Sequence, residues 1–133
     1  MPKVLVVEDD PLMARLYQKA FTFEGYDVLV AYDGEEGLKK TKAEKPNLVL
    51  LDIMMPKMNG LEFLDSLKAH ADIKTTPVVI LTNLASDKDA EVALSKGAVR
   101  YIVKSEHDPK EVVNMVKEIL AGYTRDEVPK ASN

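Results

Sequence analysis

The chain has 133 residues, of which 46% are hydrophobic and 30% are charged, and its formal net charge is −4. This length suits one domain with its own hydrophobic core, and the composition is too apolar for a disordered chain. The absence of cysteine excludes disulfides, zinc–thiolate sites and thiol nucleophiles, and the acidic balance with scattered lysines argues against direct nucleic-acid binding.

Five short runs rich in valine, isoleucine and leucine alternate with amphipathic segments along the chain. Continuous apolar runs are typical of strands that are buried on both faces of a parallel sheet. In chain order, the predicted strands are 3–7, 27–31, 48–52, 78–82 and 99–103. The segments between and after them have a 3.6-residue periodicity that predicts helices over 11–24, 34–44, 59–69, 87–96 and 109–121.

Proline, aspartate and glycine mark the ends of these predicted helices. Pro11 and Pro109 suit a first helical turn, and each follows an aspartate that can cap it. Gly25, Gly97 and Gly122 follow helical runs, where a glycine commonly terminates the helix. These residues support the predicted boundaries.

The strict alternation of strands and helices predicts an α/β doubly wound parallel sheet with right-handed crossovers. We expect one domain over residues 1–122, followed by a polar tail over 123–133. The N-terminus does not resemble a signal peptide, and no apolar run approaches the roughly 18–20 residues of a membrane span. We therefore expect a soluble, cytoplasmic protein without membrane contact.

Polar and charged side chains follow four of the five predicted strands. Ligands of open parallel sheets bind beyond the carboxyl ends of the strands, so these residues are candidates for a common site. They are Glu8, Asp9 and Asp10 after the first strand, Asp52 at the end of the third, Thr82 at the end of the fourth, and Lys104 after the fifth. Each of these residues also has a structural explanation: Asp10 suits a helix cap, Thr82 suits a strand, and Lys104 suits a solvated surface. Their occurrence together at one edge of the sheet is what indicates function.

Adjacent carboxylates repel each other at a partly buried sheet edge unless a cation binds there. Oxygen ligands without histidine or cysteine fit Mg²⁺, which binds through one or two carboxylates together with phosphate oxygens. A lysine and a hydroxyl beside such a cation would contact the remaining oxygens of a phosphoryl group. The strand ends therefore predict a magnesium-dependent phosphoryl site.

The segment from Asp52 to Gly60 resembles the response-regulator receiver family of two-component signalling, because it matches that family's pattern D-x-x-M-P-x-M-D/N-G throughout. The acidic stretch around Asp9, together with Thr82 and Lys104 at their strand ends, agrees with the same family. The resemblance covers about residues 2–121 and includes the single-domain chemotaxis regulators. It implies a flavodoxin-like fold with five parallel strands in the order 2-1-3-4-5 and five helices.

The resemblance also implies a role for each matching residue. Asp52 looks like the phosphoacceptor, which takes a phosphoryl group from a phosphohistidine. Asp9 looks like the direct Mg²⁺ ligand, with Asp52 and the backbone carbonyl of Met54 as further ligands and Glu8 acting through water. Lys104 resembles the phosphoryl-binding lysine. Thr82 and Tyr101 resemble the pair that switches, in which the hydroxyl moves toward the phosphoryl group and the aromatic ring follows inward.

Partners follow from the same resemblance. It implies a sensor histidine kinase or a phosphotransfer protein as phosphodonor, and a downstream protein that binds the fourth helix, fifth strand and fifth helix, about residues 87–121. It also allows a phosphorylation-dependent dimer. A chain of this kind is a signalling domain rather than an enzyme, since it catalyses only its own phosphoryl transfer and dephosphorylation.

Two residues depart from the family pattern near the expected switch. Ser105 follows Lys104 where receivers usually have proline, often after a cis bond. Because a cis bond before another residue costs about 2.5–4 kcal/mol, we expect a trans peptide or a reshaped loop here. Asn83 occupies a position where the family prefers alanine or glycine.

Four alternatives compete with a single-domain receiver. The chain could be a receiver excised from a longer transcription factor or hybrid kinase. An aspartyl-phosphate phosphatase would need a second aspartate two residues after the nucleophile, where this chain has Met54. A flavin-binding module would need a phosphate loop rich in serine, threonine and glycine after the first strand. A degenerate receiver would lack Asp52, Thr82 or Lys104, all of which are present.

Overall fold

The computed structural model describes residues 2–53, 55, 58–83 and 87–124. A parallel five-stranded sheet has the order β2-β1-β3-β4-β5. The strands are β1 (Lys3–Val7), β2 (Asp27–Ala31), β3 (Leu48–Leu51), β4 (Val78–Thr82) and β5 (Arg100–Val103). The helices are α1 (Pro11–Phe23), α2 (Gly34–Glu44), α3 (Gly60–Lys68), α4 (Asp87–Ser95) and α5 (Pro109–Thr124). This arrangement confirms the predicted α/β class and the predicted strand order.

The apolar runs form strands because both faces of the sheet are covered by helices. Alternate residues of a strand face opposite sides, so each central strand contributes to two cores. Val4 and Val6 of β1 pack with α1 and α5, whereas Leu5 and Val7 pack with residues of α3 and α4. We call these the α1/α5 core and the α3/α4 core. None of the described helices is long and apolar enough to cross a membrane.

The predicted helix caps are present. The Asp10 carboxylate accepts a hydrogen bond from the backbone N–H of Leu12 at 3.0 Å, which caps α1. At the start of α5, Asp108 and Glu111 each accept a hydrogen bond from the other's backbone N–H, at 2.8 and 2.9 Å. These contacts satisfy N–H groups that a helix leaves unpaired at its first turn.

Two of the three predicted glycine C-caps are confirmed, and the third is wrong. Gly25 and Gly97 have φ angles of +94° and +104°, which end the preceding helices. Gly122 lies inside α5, which continues to Thr124, three residues beyond the predicted end. Glycine permits a left-handed conformation without requiring it, so the helix continues through this position. Residues 125–133 lie outside the described residues, and the division at 122 stays a prediction.

The other predicted boundaries agree with the structure to within one residue. One element was not predicted: a short 3₁₀ turn, η1, covers Lys104–Glu106 directly after β5. Among the described residues there is no cis peptide bond, so Ser105 follows Lys104 through a trans peptide within this turn. Of the two expected alternatives, the trans peptide is therefore confirmed.

Lys45 offers a test of how α2 ends. It caps the helix with φ 46° and ψ 63°, a left-handed conformation that is strained for a residue with a side chain. We predict that Lys45→Gly raises the free energy of unfolding by about 0.5–1 kcal/mol, because the relief of strain exceeds the added entropy of the unfolded chain. Urea denaturation measures this change. The control Lys42→Gly, inside the last turn of α2, should lower stability instead, and equal effects of both changes would contradict the strain argument.

Candidate functional site

Two acidic residues lie side by side where β1 and β3 end. The hydrogen bonding of the sheet continues one residue past each strand: the N–H of Glu8 donates to the Ala31 carbonyl at 2.9 Å, and that of Asp52 to the Val7 carbonyl at 3.0 Å. Both residues are buried, with exposed fractions of 3% and 7%. The sheet backbone therefore fixes two carboxylates in a largely dry position.

Lys104 joins these two carboxylates. Its Nζ donates hydrogen bonds to Glu8 Oε1 and, at 3.0 Å, to Asp52 Oδ2. The second oxygen of Glu8, Oε2, accepts the backbone N–H of Asp10 at 3.1 Å. Because Lys104 is the first residue of η1, the turn that was not predicted from sequence is the element that carries the lysine.

The electrostatics of these groups reflect burial and close charges. Burial raises the pKa of Glu8 to about 7, and the Asp52 charge acts in the same direction, although Lys104 and the Asp10 amide oppose it. Burial would lower the pKa of Lys104, but its hydrogen bonds to Glu8 and Asp52 outweigh burial and raise it above its ordinary value. The lysine therefore stays charged, and one ammonium group faces several carboxylates.

A third carboxylate makes this edge a candidate cation site. Carboxylate oxygens of Glu8, Asp9 and Asp52 lie within 4.8 Å of one another, and Asp9 is exposed. We call these three residues the carboxylate cluster. Its donors are all oxygens and its negative charge exceeds what Lys104 supplies, which fits a hard cation such as Mg²⁺. Met54, whose carbonyl was expected to be a further ligand, lies outside the described residues.

Asp10 has a different place from the other acidic residues. It is exposed, its carboxylate caps α1, and it is not part of the carboxylate cluster. The structural explanation that its sequence context favoured is therefore confirmed, while its backbone N–H contacts Glu8.

Thr82 and Tyr101 lie on the face of the sheet that is opposite to the α1/α5 core. In the β4–β5 register, Thr82 pairs with Val103 and Tyr101 pairs with Ile80, which places Thr82 and Tyr101 on the face that carries the α3/α4 core. Thr82 is 1% exposed, Tyr101 is half-buried, and the neighbouring Asn83 is exposed. The hydroxyl and the ring thus share a face, as the predicted switch pair would require.

The loop after Asp52 is closed by a close approach of backbones. The N–H of Gly60 donates to the Ile53 carbonyl at 2.8 Å, and a Cβ at Gly60 would lie 2.6 Å from Ile53 Cα. Asn59 caps α3 in a reciprocal box with Glu62. The last two residues of the recognised motif therefore anchor the loop that begins with Asp52.

One residue near the site was missed in the sequence. Tyr17 of α1 is 1% exposed, and within the described residues its hydroxyl has no hydrogen-bond partner. Burial raises the pKa of Tyr17 to about 12, and the charges of Lys104, Glu8 and Asp52 also act on it. The one signal in the sequence that could have identified Tyr17 is its hydroxyl, because the other buried residues of α1, Ala14 and Phe21, are apolar.

Comparison with known proteins agrees with this geometry. Residues 4–117 match the family described as the response regulator receiver domain. The alkaline phosphatase synthesis transcriptional regulatory protein PhoP of Bacillus subtilis is 40% identical over 118 residues, which are 89% of this chain and 48% of PhoP. The chain thus spans about half the length of the curated relatives it matches.

Solved structures share the fold over nearly all of this chain. A CheY-like receiver domain protein from Methanospirillum hungatei is 33% identical, with a TM-score of 0.85 over 93% of this chain and 97% of that one. The Mn²⁺-bound form of response regulator Rcp1 is 27% identical, with a TM-score of 0.76 over 98% of this chain and 100% of that one. The chain therefore belongs to the response regulator receiver domain family of two-component signal transduction.

Proposed function

We propose that Asp52 accepts a phosphoryl group from a phosphohistidine of a sensor histidine kinase or a phosphotransfer protein. The observation that carries this proposal is the buried Asp52 carboxylate at the sheet edge, with Lys104 Nζ at 3.0 Å and two further acidic residues beside it. A transferring phosphoryl group needs positioning and charge neutralisation more than covalent assistance. The strand ends supply both.

The transfer requires one bond to form and one to break. A carboxylate oxygen of Asp52 attacks the phosphorus, the P–N bond of the phosphohistidine breaks, and its electron pair returns to the imidazole ring. Lys104 moves from its carboxylate partners to an oxygen of the new acyl phosphate and neutralises it. Because Lys104 already contacts Asp52, the phosphoryl group would form within its reach, and binding it would take Lys104 from Glu8.

Mg²⁺ belongs to the same proposal. Asp9 and Asp52 would ligate the ion directly, together with the backbone carbonyl of Met54, and Glu8 would hold it through water. When bound, the ion supplies positive charge to the phosphoryl oxygens. The excess of carboxylates over ammonium groups in the cluster and the Mn²⁺-bound form of the related Rcp1 support this part of the proposal.

We infer that the signal leaves the site through Thr82 and Tyr101. A phosphoryl group adds about −1.5 to −2 charges and new acceptor oxygens, which would draw the Thr82 hydroxyl toward Asp52. Tyr101 then repacks, and the surface of 87–121 changes for a protein partner or a phosphorylation-dependent dimer. In this proposal the domain is a switch rather than an enzyme, and it does not itself contact nucleic acid.

The alternative is a receiver that works within a longer regulator. The length of the relatives favours it, since this chain corresponds to about half of PhoP and PhoP is a transcriptional regulatory protein. The chemistry at Asp52 is the same in either case. The cytoplasmic location expected from the sequence stays a prediction.

Phosphorylation of Asp52 is tested with a small acyl-phosphate donor. We expect acetyl phosphate to label the wild-type protein in Mg²⁺ and not in a chelator, with labelling followed by intact-protein mass spectrometry. Asp52→Asn should abolish labelling, because an amide is not a nucleophile under these conditions. The matched control is Asp65→Asn, an exposed carboxylate paired with Lys96, which should label like the wild type. Equal labelling of the Asp52→Asn protein would refute the assignment.

A further inference from the structure

The hydroxyl of Tyr17 is a buried polar group that the proposed phosphorylation does not use. The residue is 1% exposed and its hydroxyl oxygen has no hydrogen-bond partner among the described residues. Buried polar groups are nearly always hydrogen-bonded, so an unpaired one in a native protein calls for an explanation. The position of Tyr17 supplies one.

Tyr17 lies on the same side of the sheet as the charged groups of the site. It packs in the α1/α5 core with Val6, Leu50 and Ile102. Glu8 lies two residues after Val6 and Asp52 two residues after Leu50, so strand alternation places both acidic residues on the face of the α1/α5 core. The backbone N–H groups of both residues still form sheet hydrogen bonds, so the alternation extends to them.

The direction of the side chain also leads toward the site. Helix α1 begins just beyond the carboxyl end of β1, which is the edge that carries the carboxylate cluster. Long side chains on a helix point back toward its N-terminus, so Tyr17 extends from the second turn of α1 toward this edge. The three charges that act on its hydroxyl are those of Lys104, Glu8 and Asp52, in agreement with that direction.

Glu8 would lose a hydrogen bond when the domain is phosphorylated. In the present state its Oε1 accepts from Lys104 and its Oε2 from the Asp10 amide. If Lys104 moves to the phosphoryl group, Oε1 loses its lysine donor in a residue that is only 3% exposed. A carboxylate has about four acceptor sites, so the water on Mg²⁺ and the Asp10 amide leave room for a further donor, and the unused Tyr17 hydroxyl lies on the same side of the sheet.

We propose that Tyr17 is a positioning residue whose hydroxyl donates a hydrogen bond to the Glu8 carboxylate once Mg²⁺ and the phosphoryl group have drawn Lys104 away. This inference rests on the proposed function, since it requires that movement of Lys104. Tyr17 acts as donor throughout, because burial keeps its pKa far above neutral pH and the hydroxyl stays protonated. Because this hydrogen bond forms only in the phosphorylated state, it stabilises that state relative to the unphosphorylated one.

The test compares Tyr17→Phe with Tyr26→Phe. Tyr26 belongs to the same α1/α5 core, but the charge acting on its hydroxyl is that of Glu24 and not those of the site. Mg²⁺ with beryllofluoride serves as the phosphoryl probe. We expect Tyr17→Phe to weaken binding of this probe on the order of tenfold, the size of one hydrogen bond to a charged group, while Tyr26→Phe binds like the wild type. The probe should also raise the melting temperature of Tyr17→Phe less than that of the wild type.

A second readout follows the wild-type hydroxyl directly. With tyrosine labelled at Cζ with ¹³C, the Tyr17 resonance should shift on addition of Mg²⁺ and beryllofluoride, and the Tyr26 resonance should not. A purely structural Tyr17 would give equal probe binding in both phenylalanine variants and no selective shift, which would overturn the inference while wild-type labelling by acetyl phosphate leaves the proposed function intact. A wild-type protein that takes no phosphoryl group would overturn both.

Discussion

Replacing Lys104 by methionine will lower the free energy of unfolding by about 3–5 kcal/mol when no divalent cation is present. The lysine side chain is 8% exposed, and it compensates two carboxylates that are themselves less than a tenth exposed. Methionine fills a similar volume without the charge, so Glu8 and Asp52 remain buried, close together and without their cation. Urea denaturation in the presence of a chelator measures the loss.

The exposed ion pair of Lys96 provides the control for this prediction. Its Nζ lies 2.9 Å from Asp65, but the two side chains are 32% and 62% exposed. We expect Lys96→Met to change stability by about 0.5 kcal/mol or less, because solvent screens exposed pairs. Similar effects of the two substitutions would show that burial does not strengthen the Lys104 contacts.

Magnesium should rescue the Lys104→Met protein in part. Loss of the lysine removes its hydrogen bonds to Glu8 Oε1 and Asp52 Oδ2 and takes one positive charge from beside the carboxylate cluster. A bound cation stabilises whichever folded state binds it more tightly. The increase in melting temperature on adding Mg²⁺ should therefore be larger for Lys104→Met than for the wild type, and a smaller increase would argue against a cation at this cluster.

The second large effect is expected at Gly60. An added Cβ would lie 2.6 Å from Ile53 Cα and 3.2 Å from the Asp52 carbonyl oxygen, so the backbone itself must shift. Overpacking of this kind costs about 1–3 kcal/mol. Gly60 does not have a positive φ, and the cost of Gly60→Ala would therefore come from crowding and not from backbone strain.

Gly60→Ala should also slow phosphorylation of Asp52. Asp52 and Ile53 are held by hydrogen bonds from the Asp52 N–H to Val7 and from the Gly60 N–H to Ile53, so a displaced Ile53 moves the phosphoacceptor with it. A misplacement of about 1 Å can reduce a rate on the order of 100-fold. The initial rate of labelling by acetyl phosphate measures this effect.

Gly122→Ala is the matched control for Gly60→Ala. It adds the same methyl group to a glycine within helix α5, where alanine has the higher helix propensity. We expect unchanged labelling and a small gain in stability of about 0.5–1 kcal/mol. A Gly60→Ala protein that labels as fast as Gly122→Ala would show that the close approach at Ile53 does not position Asp52.

Local chemistry was sufficient to predict the sheet and most helix ends. The continuous apolar runs needed two covered faces, and Asp10 and Asp108 needed only their own first turns to act as caps. The same local reasoning failed at Gly122, because a glycine that permits a helix end does not enforce one. Whether a helix continues depends on what its next turn packs against, and that is a tertiary property.

The candidate site divides in the same way. The acidic residues, Thr82 and Lys104 were recognisable because parallel strands bring their carboxyl ends to one edge, and a motif marked the loop after Asp52. Which of these side chains contact each other could not be predicted from the sequence. Lys104 contacts Glu8 as well as Asp52, 96 and 52 positions away along the chain, and Tyr17 reaches toward them from the second turn of a helix.

The amino-acid sequence by itself determined the fold class, the order of elements and which residue types meet at the edge of the sheet, because periodicity, capping and strand direction are local properties. Only the tertiary structure decided how those residues share their charges. Burial of Glu8 and Asp52, the turn that carries Lys104 and the unpaired hydroxyl of Tyr17 all depend on packing between segments distant in the chain. The motif identified Asp52, but its burial and its contact with Lys104 follow only from the tertiary structure.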